Sequence, residues 1–476
     1  MEKRVKDILR KVVCLKNPLQ PANRLPPEII ALCAAFVPRT NPKPIVTLTH
    51  VCRYWREAII SSPENWTLIG SGWKRLVPLC LERAGTVPIT VRITISDIRG
   101  DETFLQVLLP HVSRISDMFI NGFSFIENLE ADLPGFFAST MPNLTSLGLE
   151  QTVQPSKLFP SDKTSPPSLF YSFSKLESLH LTRVPLYPIL SRVPSLVELK
   201  LFDYTIHFGK FIGFLESNLA LEIVDLGLGF VKGSVSTTPK GTVSLPRLRH
   251  LGLICDNAID ARGLLSCLSL PRGVDVEVQG SQQNSCASLP SFLPCPPTHI
   301  QDLLTPITTV KKSRYSLRLS GSGGSFYFNP FEAPPPNAYE EFNPFATDTV
   351  REFHLLEAKV LGNHLSRALE RLPALEALGI SEATLRSGSL SALIKEPLLC
   401  PSLKTIAFFG CEVTSEMIRE LKGVLKKREH LTTARLYRVI IVIDISTWPD
   451  RDSIWQLITS VPHLDIRLGR MLPDLL

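Results

Sequence analysis

The sequence has few charged residues and no strong excess of either sign. Charged side chains make up 20% of the 476 residues, and 51 basic against 45 acidic residues leave a net charge of +6. An excess this mild gives only weak support for nucleic-acid binding. No stretch approaches ~18 consecutive apolar residues, so a membrane span is not expected. The amino-terminal segment lacks the apolar core and cleavage site of a signal peptide, which disfavours secretion.

The sequence also lacks cysteine patterns that hold metals or disulfides. None of its ten cysteines lies in a Cys-x-x-Cys pair, and the spacings do not match a structural zinc site. Most have apolar neighbours, where a free cysteine behaves as a small hydrophobic side chain. We therefore expect reduced thiols, no metal or cofactor, and a cytoplasmic or nuclear location.

Motifs of catalysis and phosphate binding are missing as well. The chain has no His-Glu-x-x-His, no Gly-x-Ser-x-Gly and no P-loop motif. Its short glycine-rich stretches at 227–229 and 321–324 do not suit a dinucleotide turn, and its histidines are scattered. We therefore expect a protein that is not an enzyme.

Proline, by contrast, is abundant. The 39 prolines in 476 residues amount to about 8%, against a usual value of ~5%. Glycine is not raised in parallel, so neither collagen nor a flexible linker explains the prolines. Prolines spread over a chain with 44% hydrophobic residues indicate many short secondary-structure elements with frequent ends.

Residues 1–23 have the pattern of a basic amphipathic helix. Its apolar positions follow helical spacing: Val5, Ile8, Leu9, Val12 and Val13. Two interpretations are open, a membrane-surface or targeting helix and a helix packed on its own protein with a solvated basic side. Glu2 and Asp7 interrupt the basic side, which favours the second.

Residues 24–70 predict further short helices. One starts at the Leu25-Pro26-Pro27-Glu28 segment, where proline suits the first helical turn, and carries an apolar face through Val37. Prolines from Pro38 to Pro44 predict a stiff loop, and a third helix is expected from Leu48 to Ile59. So small a helical unit has a marginal core, and burying an apolar face against a partner would stabilise it.

This region resembles an F-box. The family pattern is a Leu-Pro-x-Glu start, a Val-Cys-x-x-Trp-Arg segment and a closing Pro-x-x-Trp. The chain has them in this order, as Leu25-Pro26-Pro27-Glu28, Val51-Cys52-Arg53-Tyr54-Trp55-Arg56 and Pro63-Glu64-Asn65-Trp66. The following segment, Leu79 to Ile89, is similar to one in F-box proteins abundant in mushroom-forming fungi. The proline-rich loop departs from the acidic turn of many F-boxes.

The resemblance implies binding to the Skp-family adaptor of a cullin ubiquitin ligase. By position, the adaptor-binding residues would be Leu25, Pro26, Ile29, Ile30, Val51, Cys52 and Trp55. The alternative for each is a role in packing the helices together, and Cys52 and Trp55 are the residues most expected to be partly internal.

After a linker helix and first strand at 71–112, residues 113–476 carry a degenerate Leu-x-x-Leu-x-Leu repeat. Its first positions are Ile115, Leu144, Leu176, Leu196, Leu221, Leu248, Val350, Leu375, Leu403 and Leu431. Leucine-rich repeats recur every ~20–29 residues, which nearly all the steps match. Proline-containing turns precede most matches, where a strand loses no ladder N–H. The fold class predicted is therefore α/β, a three-helix F-box followed by a leucine-rich-repeat solenoid of parallel strands with helices or irregular turns outside.

The gap between Leu248 and Val350 predicts a Pro/Gly/Ser-rich insertion at about 271–346, partly disordered, that contains two possible strands, 274–278 and 317–319. It contains two Asn-Pro-Phe segments, 329–331 and 343–345. Exposed Asn-Pro-Phe turns resemble ligands of endocytic EH domains. The alternative is an Asn-Pro turn whose Phe anchors the loop onto the repeats.

The residues between the inward leucines should face a target. The candidates are His180, Glu198, Lys200, Phe202, Asp225, His250, His354, Phe409, Arg435 and Tyr437. Mixed polarity with aromatic side chains suits protein recognition. The sequence thus predicts a substrate-recognition subunit of a Skp–cullin–F-box ligase, without nucleic acid or membrane span. The alternative is a repeat scaffold in a non-ligase assembly or trafficking complex.

Overall fold

The protein is represented by a computed structural model. It describes residues 4–5, 20–37, 43–99, 103–123, 133, 136, 141–152, 173–184, 196–230, 242–255, 257–280, 292–293, 304–313, 316–329, 345, 347–356, 359–360, 362–382, 384–385, 388, 390–394, 399–411, 414–429, 436–443 and 463–468. The chain divides into two compact units, residues 1–204 (unit 1) and 205–476 (unit 2). Of the leading helix expected at 1–23, residues 1–3 and 6–19 lie outside the described residues, residues 4–5 are helical, and Pro21–Arg24 form a 3-10 helix.

Unit 1 begins with short helices around a small core. The α-helices are α1 (Pro27–Ala35), α2 (Lys43–Leu48), α3 (Arg53–Ile60), α4 (Val77–Ala84), α5 (Ile95–Ile98) and α6 (Thr103–Leu108), and the 3-10 helices are Pro21–Arg24, Pro63–Trp66, Ser71–Leu76 and Leu109–Arg114. Ile30, Ala34, Ile59 and Trp66 are almost fully buried. The Trp66 indole N–H donates to Ile59 O at 2.9 Å, which satisfies the polar atom of this core side chain.

The single helix expected over Leu48–Ile59 is wrong, because two helices occupy this stretch. α2 ends at Leu48 and α3 begins at Arg53, and Cys52 has an extended conformation with φ −159° and ψ 174°. The Thr49 hydroxyl donates to Val46 O at 2.6 Å, and Arg56 Nε donates to Thr49 O at 2.9 Å. These bonds satisfy backbone carbonyls at the turn between the two helices. The apolar spacing of the sequence runs on through this turn, although the helix itself is broken there.

The rest of unit 1 is a parallel sheet. Its strands are β1 (Leu68–Gly70), β2 (Ile89–Thr94), β3 (Ile115–Phe123), β4 (Ser146–Gln151), β5 (Ser178–Thr182) and β6 (Glu198–Ile206). Each strand pairs in parallel with the next along the chain. Leu147, Leu179 and Leu199 are in register and fully buried, so one face of the sheet is a continuous apolar core.

Unit 2 repeats the arrangement with more strands. They are β7 (Ile223–Phe230), β8 (Val243–Ser244), β9 (His250–Cys255), β10 (Leu268–Ser269), β11 (Val274–Gly280), β12 (Ile307–Lys312), β13 (Leu317–Gly321), β14 (Gly324–Asn329), β15 (Glu352–Leu356), β16 (Lys359–Val360), β17 (Ala377–Ser381), β18 (Thr384–Leu385), β19 (Thr405–Phe409), β20 (Arg438–Ile443) and β21 (His463–Leu468). The helices are α7 (Phe208–Ser217), α8 (Ala258–Cys267), α9 (Gly362–Leu369), α10 (Ser415–Glu429) and the 3-10 helix Ser391–Ile394. The combination is a mixed α/β architecture dominated by parallel strands.

The segment expected to be an insertion contributes four strands. β11 pairs in parallel with β9 and with β14, and β14, β13 and β12 follow as antiparallel neighbours. β12 then pairs in parallel with β15. Leu319, Phe326 and Phe328 are fully buried at alternating positions, so these strands bury the same kind of apolar face as the parallel ones. Residues 281–291, 294–303, 314–315, 330–344 and 346 of this segment lie outside the described residues.

The tenth repeat begins later than expected. The first position expected at Leu431 lies outside the described residues. The strand β20 begins at Arg438 and buries Val439 and Ile441, and Leu436 just before it is also buried, so the strand fits a Leu436-x-x-Val439-x-Ile441 match that starts five residues later. β21, which pairs with β20, was not expected from the sequence.

Candidate protein-binding surfaces

Large apolar side chains are exposed on the amino-terminal helices of unit 1. Five of them define what we call the apolar helical surface: Leu25, Ile29, Leu32, Phe36 and Val51, with exposed fractions of 38%, 40%, 53%, 82% and 56%. The first four are spaced four, three and four residues apart, which places them along one side of α1 and its flanks. Grouped exposure of apolar side chains marks interaction surfaces, since scattered exposure alone is normal.

The opposite side of α1 explains this exposure. Ile30 and Ala34 are fully buried, and they are the only described residues of α1 classed as buried. Asn65 Nδ2 donates to Ala31 O at 3.3 Å, which ties the same side of α1 to the 3-10 helix that follows α3. The helix is therefore apolar on two sides, and its own protein covers one of them.

Asn23 connects the segment before α1 to α3. The Trp55 Nε1–H donates to Asn23 Oδ1 at 2.7 Å, and the Cys52 thiol donates to the same oxygen at 3.8 Å. The Tyr54 hydroxyl donates to Leu25 O at 2.7 Å. These bonds hold Leu25 at the border of the apolar helical surface.

The residues expected to bind the adaptor fall into three groups. Leu25, Pro26, Ile29 and Val51 are exposed, and Cys52 and Trp55 are half-buried. Ile30 is fully buried, so it belongs to the helix core and is not available to a partner in this structure. Leu32 and Phe36 were missing from the expected set, although their spacing from Ile29 is the signal that places them on its side of α1.

The outward face of the sheet in unit 1 carries the first candidate target-binding residues. Parallel register aligns Arg92, Phe119, Gly148, His180 and Lys200 across five strands. His180, Glu198, Lys200 and Phe202 are all half-buried on this face.

An aromatic row crosses this face. The His180 ring lies 6.2 Å from that of Phe119 and 5.6 Å from that of Phe202, the second in an edge-on arrangement at 72°. Tilted and edge-on contacts of this kind are the favoured aromatic geometries. The row gives the sheet face a contiguous amphipathic area.

Glu198, which lies beside that row, takes part in a hydrogen bond and an ion pair. Its carboxylate accepts from the Ser178 hydroxyl at 2.7 Å and forms an ion pair with Lys200 Nζ at 2.7 Å. The hydrogen bond from Lys200 is the main cause that holds the pKa of Glu198 below its ordinary value, and burial opposes it. The carboxylate therefore stays ionised into acidic solution.

Replacing Glu198 with Gln should lower the stability of unit 1 near neutral pH by up to ~1 kcal/mol, the range of partly exposed ion pairs. Because the pKa of Glu198 is lower in the folded chain, its contribution is complete above about pH 4.5, the ordinary value, and is lost as the pH falls through the folded pKa. Urea unfolding of wild type and variant should therefore converge as the pH falls from about 4.5 through the folded pKa. A difference that stays constant from neutral pH down to the lowest pH at which both chains fold would contradict this account.

In unit 2, Asp225 and His250 form a pair. His250 Nε2 lies 3.1 Å from Asp225 Oδ1, and both side chains are partly exposed. Gly252 leaves room for this contact, since a Cβ there would meet the Asp225 carboxylate and lie 3.3 Å from His250 Nε2. Within the described ranges no three His, Cys, Asp or Glu side chains group in a way that could hold a metal ion. The pair is thus a polar element of the sheet face.

Two further candidates are not exposed. His354 and Phe409 retain exposed fractions of only 1% and 5%, so the expectation that they face a target is wrong. Phe409 belongs to a buried apolar cluster with Ala407, Ile440 and Val442 on the same sheet face, and His354 shares its row with Ala407 and Ile440. On these strands the face carries buried apolar side chains at positions that are polar on the strands of unit 1, so this part of the face is internal. Tyr437 is 50% exposed just before β20, and Arg435 lies outside the described residues.

The second Asn-Pro-Phe segment ends in a packed side chain. Phe345 is only 6% exposed, and its ring lies 6.1 Å from that of Phe326 in β14. An EH-domain ligand would need this Phe exposed, so the contact favours the anchoring alternative. Asn329 ends β14, and Pro330, Phe331, Asn343 and Pro344 lie outside the described residues.

The described cysteines are free thiols. Cys33 is exposed, Cys52 is half-buried, and Cys80, Cys255, Cys267, Cys400 and Cys411 are buried. Burial raises the pKa of Cys80 to about 11 and that of Cys400 to about 12, which keeps both thiols protonated and unreactive. No helix in the described ranges is long and apolar enough to cross a membrane.

Comparison of the sequence with protein-family models and with curated proteins gives no match. Among solved structures, a leucine-rich-repeat protein of Leptospira interrogans is similar at a TM-score of 0.31 and 11% sequence identity. The similarity covers 80% of this chain and 89% of that one. A likeness at this level carries no argument, so any functional assignment depends on the surfaces themselves.

Proposed function

We propose that the chain is the substrate-recognition subunit of a Skp–cullin–F-box type ubiquitin ligase, working in the cytoplasm or nucleus. In this proposal the amino-terminal helices are an F-box that docks to a Skp-family adaptor, and the following strands are degenerate leucine-rich repeats that hold a target protein. The observation that carries it is the apolar helical surface. It lies within the segment whose three motifs resemble an F-box, and no described part of unit 1 covers it.

The proposed activity needs no catalytic group in this chain. The ligase chemistry occurs on a conjugating enzyme recruited through the cullin, and this subunit supplies proximity, which raises the effective concentration of the target. A small apolar helical surface for the adaptor and a separate polar and aromatic sheet face for the target are consistent with that division of labour.

Co-purification with the Skp-family adaptor tests the proposal. The full chain should bind the purified adaptor, and the double change Leu25→Ala with Pro26→Ala should weaken the complex, since both side chains are exposed at the border of the apolar helical surface. Leu219→Ala is a matched control, because Leu219 is 52% exposed in unit 2. Absence of a complex, or equal binding by the double variant, would refute the proposal.

A further inference from the structure

The ring of Phe119 is held against the backbone of the neighbouring strand. A Cβ at Gly148 would lie no more than 3.3 Å from three of its ring carbons, closer than packed atoms tolerate. Gly148 is in register with Phe119, and it therefore permits the ring to lie flat across β4. Because Phe119 is only half-buried, the ring presents its other face outward.

Two carboxylates flank this ring. Asp117 precedes Phe119 by two residues on β3, and Glu150 follows Gly148 by two residues on β4, so each lies roughly 7 Å along the sheet from the ring's row. The Asp117 carboxylate accepts from the Ser116 hydroxyl at 2.7 Å. Within the described chain neither acid forms an ion pair with a lysine or arginine, whereas the nearby Glu198 is neutralised by Lys200.

Among the described residues, no side chain is recorded stacked on the outer face of the ring. His180 approaches with its centroid 6.2 Å away and a tilt of 53°, so the two rings are not stacked face to face. Arg92 is exposed at the register position on β2, yet among the described residues it makes no cation–π contact with Phe119. The ring and its two acids therefore form a site that combines negative charge with a half-exposed aromatic face.

We propose that this site binds an arginine side chain of the target protein. A guanidinium stacks on an aromatic face and at the same time donates paired N–H groups to a carboxylate in its plane. The Phe119 ring supplies the face, and Glu150 supplies the carboxylate, because the Asp117 carboxylate already accepts from the Ser116 hydroxyl. Lysine, a point charge with a flexible stem, fits this combination less well. The inference rests on the proposed function in that the sheet face of unit 1 is taken to contact the target.

A selection with randomised displayed peptides on the immobilised full chain tests this inference. Enriched peptides should share one arginine, and its replacement by citrulline, which keeps the shape and removes the charge, should weaken binding by roughly tenfold or more. For the Glu150→Gln and Phe119→Leu variants the same replacement should change the affinity less than threefold. Ser146→Ala, on the same strand face, should respond like wild type.

Enrichment without an arginine, no enrichment, or an equal citrulline effect in all variants would overturn the inference. Thermal unfolding of each variant checks that Phe119→Leu leaves unit 1 folded, and Glu150→Gln provides an independent test if it does not. Adaptor binding is measured on the same preparations. A chain that binds the adaptor but shows no arginine preference refutes this inference alone, whereas loss of adaptor binding by wild type refutes the proposed function.

Discussion

Replacing Arg428 with Met should lower the free energy of unfolding of unit 2 by about 3–5 kcal/mol. Arg428 lies in the last turn of α10 with no exposed surface, and its guanidinium donates to Leu393 O at 3.3 Å, Cys400 O at 3.1 Å and Leu399 O at 2.6 Å. Each hydrogen bond from a charged donor contributes about 1.5–3 kcal/mol, and the cost of keeping a guanidinium out of water offsets part of the sum.

The effect is large because one guanidinium donates to three carbonyl oxygens, of which Cys400 O has a further donor in the Leu403 N–H at 3.1 Å. Methionine fills a similar volume but leaves three buried oxygens without these hydrogen bonds. The charge itself is tolerated because the carboxyl end of α10 and the carbonyl dipoles attract it. Burial lowers the pKa of Arg428 from its usual value, as expected for a cation in this position.

Denaturant unfolding of the full chain, followed by circular dichroism, measures this loss. Lys426→Met is the matched control, since Lys426 lies in the same helical turn and is exposed, and its change should stay within ~0.5 kcal/mol. A loss below about 1 kcal/mol for Arg428→Met would show that the three bonds do not stabilise the join between α10 and the segment before β19.

The sequence pattern was sufficient to place most strands. Eight strands begin two residues after a predicted first position, from Ser146 of β4 to Thr405 of β19. The reason is physical: in a strand with period two, a pair of leucines two residues apart must share a face, and burial selects that face. The proline-containing turns mark where most of these strands begin. The repeated architecture therefore follows from local pattern alone.

The same pattern did not determine what covers each face. His354 and Phe409 occupy outward positions by alternation, but a buried apolar cluster formed with residues of β20 makes that part internal. The pattern also placed the tenth first position at Leu431, whereas the strand that pairs with β19 begins at Arg438, two residues after Leu436. Long-range contacts of this kind leave no signature in a short window of sequence.

The apolar helical surface shows the same limit on a smaller scale. Ile29 and Ile30 are adjacent and identical in side chain, and the sequence motif assigned both to the adaptor. In the structure Ile29 is 40% exposed and Ile30 is fully buried. Helical periodicity rotates neighbouring residues by ~100°, so it separates the two sides of α1, but it does not say which side meets the core when both are apolar.

That pair gives the second large prediction. Because the same side chain stands at two adjacent positions, one exposed and one buried, changes at Ile29 and Ile30 test docking to the proposed adaptor and packing of the helix separately. Ile29→Asp should weaken adaptor binding by roughly 30-fold or more, about 2 kcal/mol, since it places a charge within an apolar contact. It should change the stability of unit 1 by less than ~0.5 kcal/mol, because the side chain is already exposed.

Ile30→Ala should do the reverse. Removing a fully buried isoleucine side chain costs about 2–5 kcal/mol through lost burial and a residual cavity. The cavity lies on the side of α1 that faces Asn65. The side chains of the apolar helical surface are therefore unchanged. Under conditions where the variant is folded, its affinity for the adaptor should therefore lie within a few-fold of wild type.

Calorimetric titration of the purified adaptor, paired with urea unfolding of each chain, resolves the two effects. Leu219→Asp controls for the introduction of a charge at an exposed apolar site elsewhere and should change neither quantity appreciably. Should Ile29→Asp bind as well as wild type while Ile30→Ala loses affinity, the adaptor would contact a rearranged helix core. The apolar helical surface would then have no part in docking, because docking there requires Ile29→Asp to lose more affinity than Ile30→Ala.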